Sequence, residues 1–295
     1  MKMPHRLCLA WFVIVSCVVG RDAPAGYPPV IEGARKEVYK RVGSTELALW
    51  IFEPAAGPAK NRPAIVFFFG GGWSSGTPAQ FEPQCRALAA RGMVAITADY
   101  RVATRQQAKA ADCVADAKSA VRWLRQNAAR LGLDPNRIAA GGGSAGGHIA
   151  AATLVPGFDP EGEDKTVSCA PSALVLFNPA LVLAPMEGLE LKGFGTNLGP
   201  ERLGAAAEAL SPAHHVKRGL PPAIIFHGRA DTTVPFVTAE AYARVMRAAG
   251  NRCELVGFDG QAHGFFNFGR KGGKYDETLA AADAFLVSLG YLAAK

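Results

Sequence analysis

Apolar positions along the chain follow two alternating periods. Short runs at 37–41, 46–52, 64–69, 94–100, 137–141, 173–177, 223–226 and 254–258 read as eight strands. The first two flank Val42-Gly43-Ser44-Thr45 and are expected to pair as an antiparallel hairpin. Ala64-Ile65-Val66-Phe67-Phe68-Phe69 has no polar break, as in strands buried on both faces. Between these runs the spacing becomes helical. Over 109–131, Val114, Ala117, Val121, Leu124, Ala128 and Leu131 recur on one side, with Arg122 and Arg125 turned elsewhere. Gly132 ends that helix and Asp134-Pro135 turns the chain. Further helices are expected at 79–91, directly after Ser144, at 236–249 and at 275–289. Strands alternating with helices specify an α/β fold: a mostly parallel sheet flanked by helices, with the hairpin as its antiparallel edge.

The most informative stretch is Arg137-Ile138-Ala139-Ala140-Gly141-Gly142-Gly143-Ser144-Ala145-Gly146-Gly147-His148. A strand runs into a glycine cluster holding one serine, and an alanine-rich helix follows. Gly142-Gly143-Ser144-Ala145-Gly146 fits G-x-S-x-G, a strained turn that lifts a serine hydroxyl above the sheet. The same letters also satisfy G-x-G-x-x-G through Gly141, Gly143 and Gly146, the dinucleotide fingerprint. That reading wants an acidic residue ending the next strand about 20 residues on. Here the distance lands in the 157–165 loop, before the next strand begins. The serine reading requires an upstream glycine loop, then an acid, then a histidine, and all three occur.

A serine hydroxyl needs a neighbouring base to take its proton. His263 lies in Gly260-Gln261-Ala262-His263-Gly264-Phe265, just beyond the last strand, and is the candidate base. His148 sits one turn past Ser144 and faces inward by spacing, as a packed, hydrogen-bonded histidine would. His227 closes a strand, and His214 and His215 fall in a polar loop. The acid that orients the base should precede it, and Asp231 follows the 223–226 strand. Asp259 is its rival but lies too near His263 in a different loop direction, and Asp99 reads as a structural ion-pair member. Backbone amides for an oxyanion are expected from Gly71 and Gly72, after the 64–69 strand, and from Ala145. Each of these groups falls at the carboxyl end of a strand, where chemistry gathers in such sheets.

Together Phe69-Gly70-Gly71-Gly72-Trp73, Gly142-Gly143-Ser144-Ala145-Gly146-Gly147-His148, the Asp231 loop and Ala262-His263-Gly264 resemble the hormone-sensitive-lipase-like branch of the α/β-hydrolases. Within it, the chain is most similar to small exported bacterial carboxylesterases of acetyl or acetylxylan esterase type. The resemblance covers about residues 37–292. It implies an α/β-hydrolase fold, a Ser144–Asp231–His263 triad, an oxyanion hole of Gly71, Gly72 and Ala145, and hydrolysis of short-acyl esters, acetyl or feruloyl groups on carbohydrates among them. No cofactor and no metal are expected; neither H-E-x-x-H nor a cysteine–histidine cluster is present. Two departures stand out. Phe69 occupies a place usually held by histidine, so a polar anchor of the glycine loop is missing. No helical cap precedes the first strand, which leaves the glycine-rich segment 180–214 as a small loop-like lid. A prolyl-oligopeptidase-type peptidase shares the turn and the order of the triad but usually carries a propeller domain. A non-catalytic binding protein on the same scaffold would not need the full triad.

Composition bounds the rest. A chain of 295 residues with 49% apolar content suits one large α/β domain or two small ones. Lys2, His5 and Arg6 precede the apolar run 7–15, and Val18-Val19-Gly20 offers cleavage before Arg21, so 1–20 reads as a signal peptide and 21–36 as a tether. Ile14-Val15-Ser16-Cys17 also resembles a lipoprotein box, with a leader of 1–16 and a lipid on Cys17 as the one membrane link. Either pattern makes the product exported. From +7 on the whole chain, loss of the two cations Lys2 and Arg6 leaves +5, spread without a basic block, so no nucleic-acid partner is expected. Cys85, Cys113, Cys169 and Cys253 remain, an even number that permits three disulfide pairings or four buried thiols. Cys85 and Cys113, on successive helices, are the first pair to test.

Overall fold

The computed structural model describes residues 26–189 and 198–294. The expected leader 1–20, Cys17 and the first part of the tether lie outside the described residues. The strands β1 (Arg35–Val42), β2 (Thr45–Phe52), β3 (Arg62–Phe68), β4 (Val94–Ala98), β5 (Leu133–Gly143), β6 (Leu174–Phe177), β7 (Ala223–Gly228) and β8 (Cys253–Phe258) form one sheet in the order β1-β2-β4-β3-β5-β6-β7-β8. β2 runs antiparallel to both neighbours, while every pairing from β4 through β8 is parallel. Order crosses over at β3, which lies between β4 and β5, so the central strands deliver their carboxyl ends to one side of the sheet.

Five helices of eight residues or more pack on the sheet among the described residues: α1 (Glu82–Ala90), α2 (Ala110–Gln126), α3 (Ala145–Ala152), α4 (Phe236–Ala248) and α5 (Tyr275–Ser288). Alternation along β3 shows how both faces are sealed. Ala64, Val66 and Phe68 join the core beneath α2, α3 and α4. Ile65 and Phe67 join the core beneath α1 and α5. On that second face Phe67 stacks on Phe81 at 4.8 Å, Phe81 on Phe266 at 5.7 Å, and Phe177 leans on Phe266 at 4.8 Å. Each fully buried ring contributes roughly 1.5–3 kcal/mol. Their upper member, Phe266, reaches the cleft described below.

Four local expectations are revised. The helix expected over 109–131 ends at Gln126, where the Asn127 side-chain amide also donates to the Trp123 carbonyl (2.9 Å), and a separate turn Ala128–Leu131 follows. β5 starts earlier than its apolar core: Leu133 pairs with Arg62, then the register shifts so that Ile138 meets Ala64. The tether is docked where it is described. Ile31 is buried in the second core, the Tyr27 hydroxyl hydrogen-bonds to Asp99, and β1 begins at Arg35. In the 180–214 segment, Leu181, Val182, Leu203 and Leu210 are buried and short helices occupy Pro200–Leu203 and Ala207–Leu210, so its described parts are anchored to the core.

Cys85 and Cys113 do not pair. Cys85 sits in the core beneath α1 and Cys113 in the core beneath α2, so the sheet lies between them. Cys85, Cys113, Cys169 and Cys253 are all free thiols. Burial pushes the Cys85 and Cys113 thiols well above their ordinary range and Cys253 up to about 12, which keeps them from reacting as thiolates. Unfolded without reductant, a chain lacking residues 1–20 should therefore take up alkylating reagent at all four positions, and reductant should leave its melting temperature unchanged. A crosslinked peptide joining any two of them in mass spectrometry would contradict this arrangement.

Candidate active site

β5 ends at Gly143 and α3 begins at Ala145, leaving Ser144 between them at φ 53° and ψ −120°. A non-glycine residue rarely adopts this left-handed backbone, and such strain persists only where neighbours over-determine it. Here the Ser144 N–H donates to the Phe177 carbonyl (2.9 Å) and the Ser144 carbonyl accepts from the His148 N–H (2.9 Å). The glycine after the serine is required by contact. A Cβ on Gly146 would come within 2.0 Å of the Phe68 carbonyl oxygen and 2.4 Å of that of Phe69.

His263, in the loop after β8, brings Nε2 to 2.9 Å from Ser144 Oγ and Nδ1 to 2.7 Å from Asp231 Oδ2. The three expected residues therefore touch in series. The Asp231 side chain is fully buried, and its Oδ1 accepts the N–H groups of Thr233 and Val234 (2.9 Å each). Burial pushes this carboxyl up. Hydrogen bonding to His227 and His263 and from the Val234 N–H outweighs it and holds the group well below the usual carboxylate range. Asp231 is thus ionised wherever the protein is folded at ordinary pH, and its Nδ1–H···Oδ2 bond sets the His263 tautomer that leaves Nε2 free to accept the serine proton. The rival Asp259 lies at the surface, paired with Arg229 at 3.0 Å. Asp99 is buried, accepts the Tyr100 N–H (2.8 Å) and lies 3.6 Å from Arg105, as a structural ion-pair member would.

Gly71 and Gly72 line a cleft of about 480 Å³ together with Gly70, Ser144, His263 and Phe266. Gly71 adopts φ +128°, and a Cβ there would strike the Ser75 carbonyl oxygen at 2.1 Å. Ala145 is the first residue of α3, where backbone amides have no partner within the helix. The missing histidine at Phe69 leaves the loop well anchored. Phe69 stacks on Tyr100 (4.1 Å between centroids), Tyr100 Oη–H donates to the Phe69 carbonyl (2.6 Å), and Arg105 Nη1 donates to the Gly76 carbonyl (2.8 Å). Gln80 Oε1 accepts the Gly70 N–H at 2.6 Å.

His148 is the packed histidine its spacing implies. Its Nδ1 accepts from Trp73 Nε1–H (3.1 Å) and its Nε2–H donates to the Leu210 carbonyl (2.9 Å), tying the glycine loop, the α3 helix and the 180–214 segment together. His227 Nε2 lies 2.8 Å from the Val234 carbonyl oxygen, and His214 and His215 bond Ser211 and the helix-end carbonyls of Glu208 and Ala209. Three side-chain amides of the cleft wall were not singled out from sequence: Gln80, Asn178 and Asn267. Asn178 alone carried a signal, because it directly follows a strand at the end of the sheet where the other groups gather.

A left-handed serine at the head of a helix, hydrogen-bonded to a histidine that a buried carboxylate orients, on this sheet topology, is the arrangement of a serine hydrolase. Residues 65–267 match the family described by the alpha/beta hydrolase fold, and the chain belongs to it, in the hormone-sensitive-lipase-like branch. It is similar to esterase 2 of Thermogutta terrifontis, at 57% identity and a TM-score of 0.86, over 91% of this chain and 99% of that one. It is also 29% identical to the carboxylesterase NlhH of Mycobacterium tuberculosis over 248 residues, 77% of this chain and 73% of the relative. The protein is a carboxylesterase.

Both His148 nitrogens are committed in the neutral ring, and burial lowers its pKa from 6.5 to about 4. Between these values the unfolded chain binds a proton that the folded one refuses, so this residue makes stability fall as pH drops from about 6.5 toward 4. Asp99, raised by burial to about 6, gives the opposite slope over about 4 to 6. A His148→Gln variant shares the Asp99 effect. The difference in melting temperature between the two proteins across pH 4–7 therefore isolates His148, and the variant should lose less stability on acidification. Parallel curves would show that His148 does not titrate as described.

Proposed function

We propose that the protein is an exported enzyme that hydrolyses short-acyl esters through an acyl-enzyme on Ser144, with acetyl or feruloyl groups on carbohydrates as its substrate class. The observation that carries this reading is the unbroken Ser144–His263–Asp231 contact beside the glycine loop. Ser144 Oγ attacks the ester carbonyl carbon while its proton passes to His263 Nε2. The carbonyl π electrons move onto oxygen, where the amides of Gly71, Gly72 and Ala145 receive the charge. Collapse of this intermediate breaks the bond to the alcohol, whose oxygen takes the proton back from His263. Water then attacks the acyl-enzyme with His263 again as base, releasing the acid and restoring the hydroxyl. Asp231 does not exchange the proton; it orients the ring and stabilises its charged form.

The related Thermogutta esterase has been seen with propionate and with butyrate bound, and phosphonylated by sarin or phosphorylated by paraoxon. Those ligands support a short acyl pocket and a nucleophilic serine here. The basic leader followed by an apolar run supports export, and a cleft open to solvent supports a bulky alcohol such as a sugar.

Ser144→Ala should abolish turnover of p-nitrophenyl esters and labelling by a fluorophosphonate probe. Asp231→Asn should lower kcat by about 10⁴ while leaving the fold intact, because the ring then rests in the wrong tautomer. On wild type, kcat/KM should fall at least about tenfold between butyrate and decanoate esters as the chain outgrows the pocket. Release of acetate from acetylated xylan, or of ferulate from feruloyl sugars, tests the alcohol side. Activity on simple esters with none on sugar esters would remove the carbohydrate assignment and keep the rest.

A further inference from the structure

The glycine loop and the His263 loop come from distant parts of the chain, yet a continuous run of side-chain amides joins them across the wall of the cleft. The Gly70 N–H donates to Gln80 Oε1 (2.6 Å), Gln80 Nε2 donates to Asn267 Oδ1 (2.9 Å), and Asn267 Nδ2 donates to the Gly264 carbonyl (2.8 Å). The Gly264 N–H in turn donates to Asn178 Oδ1 (2.9 Å). Polarity along this run is fixed from its ends. A backbone N–H can only donate and a carbonyl can only accept, so each amide has one orientation that satisfies both neighbours. Asn178 is fully buried and holds φ 35° directly after β6, a conformation asparagine tolerates better than most residues.

Gln80 and Asn267 are only half-buried, and both line the cleft. Water would replace their hydrogen bonds at little net cost to folding, and ordering a glutamine side chain loses rotamer freedom. A role in stability alone is therefore a weak account of them. Their geometry points elsewhere, since one bridge spans the loop that presents Gly71 and Gly72 and the loop that presents His263.

We propose that Gln80 and Asn267 are positioning residues that lock the glycine loop and the His263 loop at one spacing, so that oxyanion donors and base act on the same reacting atom. Gln80 thereby fills the place left by the absent histidine at Phe69, holding the loop from the cleft side through Gly70. Asn178 fixes the far end by gripping Gly264. This inference rests on the roles assigned above to Ser144, His263 and the glycine amides. Misplacing a reacting group by about 1 Å costs on the order of 10²-fold in rate, so the bridge should be read in kcat.

The test compares p-nitrophenyl propionate kinetics and melting temperature across four variants. Gln80→Leu removes both bonds and should lower kcat about 10- to 100-fold with KM within about threefold of wild type. Gln80→Glu keeps the acceptor for Gly70 and loses the donor to Asn267, so its kcat should fall between wild type and Gln80→Leu. Asn267→Leu breaks the same bridge from the other side. The double variant Gln80→Leu/Asn267→Leu should be no slower than the slower single, as for two members of one contact. Melting temperatures should stay close to wild type. Wild-type kcat in both Gln80→Leu and Asn267→Leu, a change confined to KM, multiplicative losses in the double variant, or a loss that follows the folded fraction would each overturn the proposal. If Gln80→Leu does not fold, Gln80→Glu and Asn267→Leu carry the same comparison. Ser144→Ala separates this idea from the one beneath it. Esterase activity in Ser144→Ala would overturn the serine mechanism and the bridge with it, whereas an inactive Ser144→Ala beside wild-type bridge variants removes the bridge alone.

Discussion

The site depends on how closely α3 passes the end of β3. Helix α3 leaves β5 through a turn so tight that the Phe68 and Phe69 carbonyls would lie within 2.4 Å of any Cβ at Gly146. The same crowding holds on the other side, where a Cβ on Gly70 would meet the Gly143 carbonyl oxygen at 3.0 Å and Ser144 Cβ at 3.4 Å. Glycine at these points lets two strand ends and a helix start meet at backbone contact distance. Because the glycine loop continues β3 and Ser144 continues β5, their parallel register sets the serine and the loop side by side. Neither needs long side chains to reach the other, so the arrangement is as stiff as the sheet beneath it.

Two histidines near this point show how surroundings decide function. His148 is sealed, with an indole N–H on one nitrogen and a carbonyl oxygen on the other, and every partner favours the neutral ring. His263 is partly open and has a carboxylate on Nδ1 and a hydroxyl on Nε2. A positive charge on His263 finds Asp231 already ionised, held so by two backbone amides and hydrogen bonding to His227. A positive charge on His148 would find no anion among these partners. One ring can therefore cycle its proton while the other serves as a fixed strut beneath the glycine loop.

Much of this was legible in the sequence because short-range rules govern it. The continuous apolar run ending in Phe69 matches a strand covered on both faces, and Gly142, Ser144 and Gly146 specify their turn through contact. The place of Ser144, Asp231 and His263, each after a strand, followed from the alternation of elements, and their order from the hydrolase resemblance. What stayed hidden depends on pairs far apart in the chain. Which face of the sheet carries Cys85 and which carries Cys113 is decided by crossover at β3, and no spacing along the chain encodes it. Gln80 and Asn267 are 187 positions apart and meet only because the β3 and β8 loops open on the same side. Asn127 and the register shift before Ile138 were invisible for a different reason: neither leaves a mark on the apolar periodicity of the chain.

Phe69 makes a related point about rigidity. A polar residue there would hold the glycine loop by one or two hydrogen bonds; the aromatic ring holds it through packing and delegates the polar contacts to its neighbours. Tyr100 lies flat against the ring and bonds the Phe69 carbonyl, and the Arg105 guanidinium lies 5.9 Å from the same ring while bonding Gly76. On its other side Arg105 meets the Tyr27 ring at 3.8 Å, and Asp99 lies 3.6 Å away. Such a buried ion pair adds little net stability, because desolvation offsets most of the attraction, but removing one partner strands the other in a medium that cannot solvate it. The cluster therefore penalises every arrangement of the 69–76 loop except the one in which Gly76 and Phe69 sit where Arg105 and Tyr100 require them. Tyr27 belongs to that constraint, which ties the described residues before β1, 26–34, to the back of the glycine loop.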